Sequence, residues 1–429
     1  MDDDVTASQL VDRRVLPVII ERMNDEPVIL LEGPRSVGKS TLLRQVAGLR
    51  GGTIIDADNR ATAAALAADP DTMIDVPPPV IIDEYQRVPD VLDAIKARLN
   101  VAPTRPGSYL LAGSSRHSSL PRAAQALTGR LHIIQVLPLA EQEVAQVPGL
   151  LPRLFDLGEE VVRGVVSRTT RNDYIDRVVR GGLPLARVRS GPARQRWFDD
   201  YVRLTLERDV AELKKVRQAQ ALPVALRAFA GLTGQMLNVA AVAERLGMND
   251  GTLHGYLRLL ESVFLVRTLP GWGKTLTSRA LATPKIHVVD SGVAARLMRL
   301  SSDKLARRDA TALTELGHLM ETFVVGELYK EASWMDGIAQ LGHWRTYDGD
   351  EVDIIVERDD GSVIGIEVKA STRAAGDSFA SLKKLRDKLG SSFALGVVLH
   401  LGERGFRYDD RLIALPVDQL WTTPTSPWH

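Results

Sequence analysis

Three groups of residues have types and spacings that could do chemistry. The first is Gly33-Pro34-Arg35-Ser36-Val37-Gly38-Lys39-Ser40-Thr41, which fits the phosphate-loop pattern G-x-x-x-x-G-K-[ST] at every fixed position. Glycines let backbone N–H groups curl around phosphate oxygens with no side chain in the way. A helix starting at this point adds partial positive charge. In that setting Lys39 reaches the β- and γ-phosphates of a nucleotide, and the Ser40 hydroxyl takes a place on Mg²⁺. The second group is Asp83-Glu84, which closes the apolar run Val80-Ile81-Ile82. A buried strand delivering two carboxylates at its C-terminal end suits the ligand-binding edge of an open α/β sheet. Asp83 would hold Mg²⁺ through water, and Glu84 would orient or deprotonate the attacking water.

The third group is Asp353, Glu367 and Lys369. Residues 351–357 and 363–369 read as strands joined by Asp359-Asp360-Gly361, which suits a three-residue hairpin loop with glycine in the left-handed region. That loop sets Glu357 opposite Val363, and so Asp353 opposite Glu367. Val352, Ile354, Val356, Ile364, Ile366 and Val368 then share a core face. Asp353 and Glu367 share the other face with Lys369, their Cβ atoms about 5 Å apart. Two adjacent carboxylates repel unless a cation lies between them. Mg²⁺ or Mn²⁺ there, beside a lysine, would activate water against a phosphodiester.

The elements that must position these groups follow the chain. Val28 to Leu31 is the buried strand the phosphate loop requires, and Thr41 to Leu49 is its helix. Residues 10–23 read as a helix interrupted by Pro17. Ser108 to Ser115 is a further buried strand ending in small polar residues, where Ser114 or Ser115 is the candidate sensor of the γ-phosphate. Arg130 precedes a strand at residues 131–136. It could sense phosphate or act as an arginine finger towards a neighbouring subunit, which implies a homo-oligomer. Arg116 competes for that role.

Beyond residue 215 the pattern changes. Val239 to Leu246 and Asp250 to Glu261 are helices around the turn Gly247-Met248-Asn249, a helix-turn-helix arrangement. Thr252, His254, Tyr256 and Arg258 would form its reading face. From Ser262 to Val289 there are four basic residues, Arg267, Lys274, Arg279 and Lys285, and no acidic one. Such a wing could contact DNA phosphates, or the unit could pack between domains and touch none.

Together the first motifs resemble the AAA+-type ATPases. The match to a large bacterial and archaeal family of predicted ATPases runs further, through VIIDEYQRV (80–88), LTGRL (127–131), PKIHVVDSGVA (284–294) and residues 351–371. The resemblance implies ATP and Mg²⁺ as ligands and a C-terminal region of unknown function. Asp353 followed by Glu367-Val368-Lys369 also resembles the PD-(D/E)xK nuclease fold. That resemblance adds a helix glutamate in a G-x-x-x-E setting, which Gly317 to Glu321 fits, with Glu327 as a second candidate.

Composition narrows the classes. With 54 basic and 54 acidic residues among 429, the chain is not coated in positive charge. There is no cysteine, which excludes disulfides and thiolate zinc sites. The beginning, MDDDVTASQL, is acidic and unlike a signal peptide. No apolar run approaches a membrane span, so a cytoplasmic protein without membrane contact is expected.

The expected fold is α/β. A P-loop AAA+-like parallel-sheet domain occupies 1–140, a helical linker 141–215, a winged-helix-like domain 216–300 and an α+β nuclease-like domain 301–429. The expected function is an ATP-hydrolysing protein acting on or near DNA, with metal-dependent nuclease activity at the C-terminal site. The alternative is a nucleotide-gated switch or scaffold whose C-terminal region binds DNA or protein without cutting.

Overall fold

The computed structural model describes residues 10–101, 105–119, 127–212, 221–273, 275, 279 and 282–423; Lys274, part of the expected basic wing, lies outside them. Strand β1 (Val28–Glu32) is buried along its whole length. It is flanked by β4 (Tyr109–Gly113) and β5 (Leu131–Gln135), both parallel to it. With β2 (Thr53–Asp56) and β3 (Val80–Asp83) the order is β2-β3-β4-β1-β5. One strand thus stands between the strands carrying the phosphate loop and the carboxylate pair. Helix α1 (Val15–Arg22) is not broken by Pro17, because that proline falls in the first turn, where its missing N–H has no helical partner to lose. Helix α2 (Lys39–Arg50) begins at the phosphate-loop lysine.

The middle of the chain places helices Leu222–Ala230, Val239–Leu246 and Asp250–Ser262 against strands β6 (Gln235–Met236), β7 (Val266–Leu269) and β8 (Lys285–Val288). These strands form an antiparallel sheet in the order β6-β8-β7. The tight turn is as read: Gly247 adopts φ 63°, and the Asn249 side chain caps the second helix through the Gly251 N–H.

The C-terminal sheet has six strands in the order β13-β14-β12-β11-β10-β9. They are β9 (Ile338–Arg345), β10 (Glu351–Arg358), β11 (Val363–Lys369), β12 (Phe393–His400), β13 (Phe406–Asp409) and β14 (Leu412–Pro416). The β10–β11 hairpin has the expected register, with Glu357 opposite Val363 and Gly361 at φ 81°. The single core face does not hold. Helix Ala310–Ala332 lies on one side of the sheet, over a core containing Ile354, Val356, Ile364 and Ile366. Helix Ala380–Leu389 covers the other, with Val352, Ile355 and Val363. A register shift against β9 between Val352 and Ile355 breaks the alternation and turns Val352 to the second side. Among the described residues, no helix is long and apolar enough to cross a membrane.

Candidate functional site

The phosphate loop follows β1 because Gly33 lets the chain pass close beneath its neighbour. A Cβ on Gly33 would lie 2.0 Å from the Val136 carbonyl oxygen. Gly38, at φ 98°, then turns the chain into α2. The buried Lys39 ammonium donates to the Gly33 and Pro34 carbonyls, both at 2.8 Å. Val37 points into the core, while Ser36 and Ser40 are exposed and Arg35 and Thr41 half-buried.

The Ser40 hydroxyl and the Asp83 carboxyl come together across the loop. Burial pushes the Asp83 carboxyl above its ordinary value. The Ser40 hydrogen bond and Lys39 ammonium pull the other way, and the Glu84 charge adds to the rise. A hydroxyl and a buried carboxylate whose charge is poorly solvated fit a divalent cation, so this donor set suits Mg²⁺.

Glu84 sits just past β3 in the left-handed region, φ 52° and ψ 42°, which is uncommon away from glycine. That turn brings its carboxylate to Gln86 Nε2, to the Ser114 hydroxyl at 3.2 Å, and within 3.9 Å of the Arg35 guanidinium. Of the two serines after β4, Ser114 is therefore the one that meets Glu84. The Ser115 hydroxyl is buried with no hydrogen-bond partner among the described residues.

Two arginines fall elsewhere. Arg130 immediately precedes β5, whose first residue pairs with Val28 at the start of β1. The strands are parallel, so Arg130 sits at the end of the sheet away from the phosphate loop, donating to Asn100 at 2.7 Å. A role towards the γ-phosphate of its own chain is not compatible with this placement. Arg116 stacks over Phe264 at 5.4 Å, against the middle region. The arginine that does touch the loop from outside it is Arg13, which no motif or spacing singles out. It donates to the Val37 and Leu137 carbonyls, both at 2.8 Å, and to Glu143 at 2.9 Å.

The C-terminal carboxylates also have a cation, but it is a lysine. The Lys285 ammonium, 1% exposed, lies 2.7 Å from Glu321, 2.6 Å from Glu351 and 2.9 Å from Asp353. The second Asp353 oxygen accepts the Val368 N–H at 2.9 Å. Glu367 bonds Lys369 at 2.6 Å, and its other oxygen is buried without a hydrogen-bond partner. Burial, reinforced by the Asp353 charge, pushes Glu367 up to about 8. These residues do not fit a metal: Asp353 and Glu321 are committed to Lys285, and no cluster of three metal-type ligands forms among the described residues. The expected Mg²⁺ or Mn²⁺ site at Asp353 and Glu367 is corrected accordingly.

The three described basic residues of the expected wing follow the packing alternative. Lys285 is buried in this cluster. Arg267 is buried with its guanidinium 3.9 Å over the Tyr329 ring. Arg279 pairs with Glu357 through one Nη at 3.0 and 2.9 Å. All three face the C-terminal region rather than solvent. On the expected reading face, Tyr256 is core, while Thr252, His254 and Arg258 are exposed.

Residues 25–145 match the model of an AAA domain, residues 316–420 that of a domain of unknown function (DUF4143), and residues 171–304 that of another (DUF8612). The chain thus carries a region like an AAA domain, followed by a C-terminal region that matches a domain of unknown function. Its similarity to uncharacterized proteins of Mycobacterium bovis (Mb2031c) and Mycobacterium tuberculosis (Rv2008c) is 28% identity over 418 residues, 96% of this chain and 86% of each of theirs. It is also similar to the Walker-type ATPase PABY2304 of Pyrococcus abyssi, at 16% identity and a TM-score of 0.41, over 68% of this chain and 97% of that one.

The nucleotide domain is bonded directly to the C-terminal domain. The Glu141 N–H donates to Glu327 at 2.7 Å. Lys330 bonds Glu327 at 2.6 Å and the Leu139 carbonyl at 3.1 Å. Glu331 accepts the Leu151 N–H at 2.9 Å, and burial pushes its carboxyl up to about 7. Glu327 is therefore a buried structural residue of this contact rather than part of the Lys285 cluster. The same helix, Ala310–Ala332, carries Glu321 and so also holds Lys285.

Proposed function

We propose that this protein is an ATP-hydrolysing switch whose C-terminal domain holds a partner rather than cutting one. Ser40 and Asp83 would hold Mg²⁺, which neutralises charge on the phosphates when bound. Lys39 exchanges the Gly33 and Pro34 carbonyls for phosphate oxygens, a change that needs no movement of the backbone. Glu84 is the general base or water-positioning residue, and Ser114 and Arg35 restrain it. A γ-phosphate offers Ser114 and Arg35 a competing acceptor, which frees Glu84 towards water. The Arg13 bonds to Val37, Leu137 and Glu143, and the Glu327 bond to Glu141, support coupling between the phosphate loop and the helix Ala310–Ala332. The middle region, with its three helices and three antiparallel strands, is read as a winged helix used for packing between domains.

The observation that carries the choice of a switch over a nuclease is the Lys285 ammonium among Glu321, Glu351 and Asp353. A buried ammonium bonded to all three carboxylates occupies the position a bridging metal would take. Two measurements test the reading. Phosphate release should require Mg²⁺ and fall to background in Lys39→Ala. Linear, circular and branched DNA should stay intact with Mn²⁺. Cleavage by the wild type that disappears in Asp353→Ala would refute the choice.

A further inference from the structure

A cleft of about 960 Å³ lies between the residue 167–171 stretch and the C-terminal domain. Its floor is formed by the chain leaving β11 and β12, at residues 372–375 and 400–404. Those strands are parallel neighbours, with Lys369 paired to His400 at their ends. The crevice outside the carboxyl ends of parallel strands is where open sheets take ligands. The cleft is separate from both the phosphate loop and the Lys285 cluster.

Its charge is lopsided in a chain whose total is zero. Arg168, Arg171, Arg308, Arg373 and Arg404 line it, against the one carboxylate of Glu403. None of the five makes an ion pair among the described residues, whereas arginines at the domain contacts, such as Arg187 with Glu141 and Arg279 with Glu357, do. Arg171 donates through one nitrogen to the Ala370 carbonyl at 3.3 Å, and its Nε and remaining Nη have no acceptor. Burial and the neighbouring Arg308 charge both push that guanidinium below its ordinary value. An anion in the cleft removes that repulsion. Arginine's planar fork matches phosphate geometry.

One wall is aromatic. Phe406, on β13, is 37% exposed and lines the cleft with its ring 6.2 Å from that of His400. Unpaired guanidinium groups beside an exposed ring are the combination that holds a backbone phosphate while a base stacks. The volume suits one or a few nucleotide units rather than a bare phosphate ion.

We propose that this arginine-lined cleft binds nucleotide units through phosphate and base, either as a free nucleotide or as part of a single strand. The five arginines contact phosphate, and Phe406 stacks on a base.

The test is fluorescence anisotropy of a labelled twelve-residue oligothymidylate on the full chain carrying Lys39→Ala, which disables the phosphate loop, titrated at several salt concentrations without ATP. The double variant Arg373→Ala/Arg404→Ala should bind at least ~10-fold more weakly and show a salt dependence shallower by about 1.4 in log–log slope, the value for two lost single-strand phosphate contacts. Phe406→Ala should weaken binding about 5-fold or more at an unchanged slope. Thymidine monophosphate added as competitor separates the sources: displacement at micromolar concentration assigns a free nucleotide, and displacement only by unlabelled oligonucleotide assigns a strand. Unchanged melting temperatures establish that the variants are folded. Equal binding by the Lys39→Ala parent and the double variant made in it overturns the proposal. So does a parent that binds neither oligonucleotide nor mononucleotide at 100 mM salt.

Discussion

Replacing Lys285 by methionine keeps most of the side-chain length and removes the charge. Its three partners then differ in what they lose. Glu351 has a side chain 30% exposed, so water screens it and its share is small. Glu321 and Asp353 have side chains only 11% exposed, and they are left facing each other without a cation. Breaking a buried pair by removing one partner costs about 3–5 kcal/mol. The lower end applies here, because a carboxyl can escape by taking up a proton. Glu321 is already held well above its ordinary value by burial and by the Asp353 charge, even with the lysine present. In Lys285→Met that rise is greater. The folded protein then keeps a proton that the unfolded chain has given up, so stability falls as pH rises from the ordinary carboxylate range upward. The expected deficit is about 3 kcal/mol at pH 8, shrinking as pH is lowered towards 5. Urea unfolding of wild type and variant at pH 5.5, 7 and 8 measures it. A deficit under about 1 kcal/mol at pH 8, or one that grows on acidification, would refute the account of this cluster.

Two further outcomes are expected. Glu84→Gln should retain binding of a fluorescent ATP analogue while phosphate release falls about 10²–10⁴-fold, and wild-type turnover in that variant would remove Glu84 from the mechanism. Glu367, pushed up to about 8 chiefly by burial, makes wild-type stability decline as pH rises from about 4.5 to 8, so Glu367→Gln should melt higher than wild type at pH 8.5. That advantage should close by pH 5, and a variant that melts lower than wild type at both pH values would contradict it.

The nucleotide site was legible because its signal is local. Gly33, Gly38, Lys39 and Ser40 fall within eight residues, and Asp83-Glu84 ends a strand visible as an apolar run. The β10–β11 register was legible because a three-residue loop fixes it. What failed depended on partners far along the chain. Lys285, Arg267 and Arg279 make a basic stretch in sequence. Their carboxylates and ring come from residues 321–357, which no spacing rule connects to them. The face assignment of Val352 failed because the strand shifts register against β9 and because helices cover both sides of the sheet, so both sides are apolar. Arg130 is a different case: parallel strands alone place a residue ahead of β5 away from the loop after β1. Strand direction thus argues against a role towards the nucleotide of its own chain and leaves the reading towards a neighbouring subunit untouched.

The helix Ala310–Ala332 has a consequence for how the chain can vary. Glu321 and Glu327 are six residues apart, about 9 Å of rise and about 240° of rotation. One faces Lys285 and the other the Glu141 amide. Inserting a single residue between them would swing the second contact about 100° around the axis while leaving the first in place. No side-chain adjustment recovers a hydrogen bond to a backbone N–H after such a turn. Deletions and insertions between residues 321 and 327 are therefore excluded by phase, even though the intervening apolar residues could each be exchanged for another of similar size. The spacing of two acidic residues on one helix sets the relative angle of two domains.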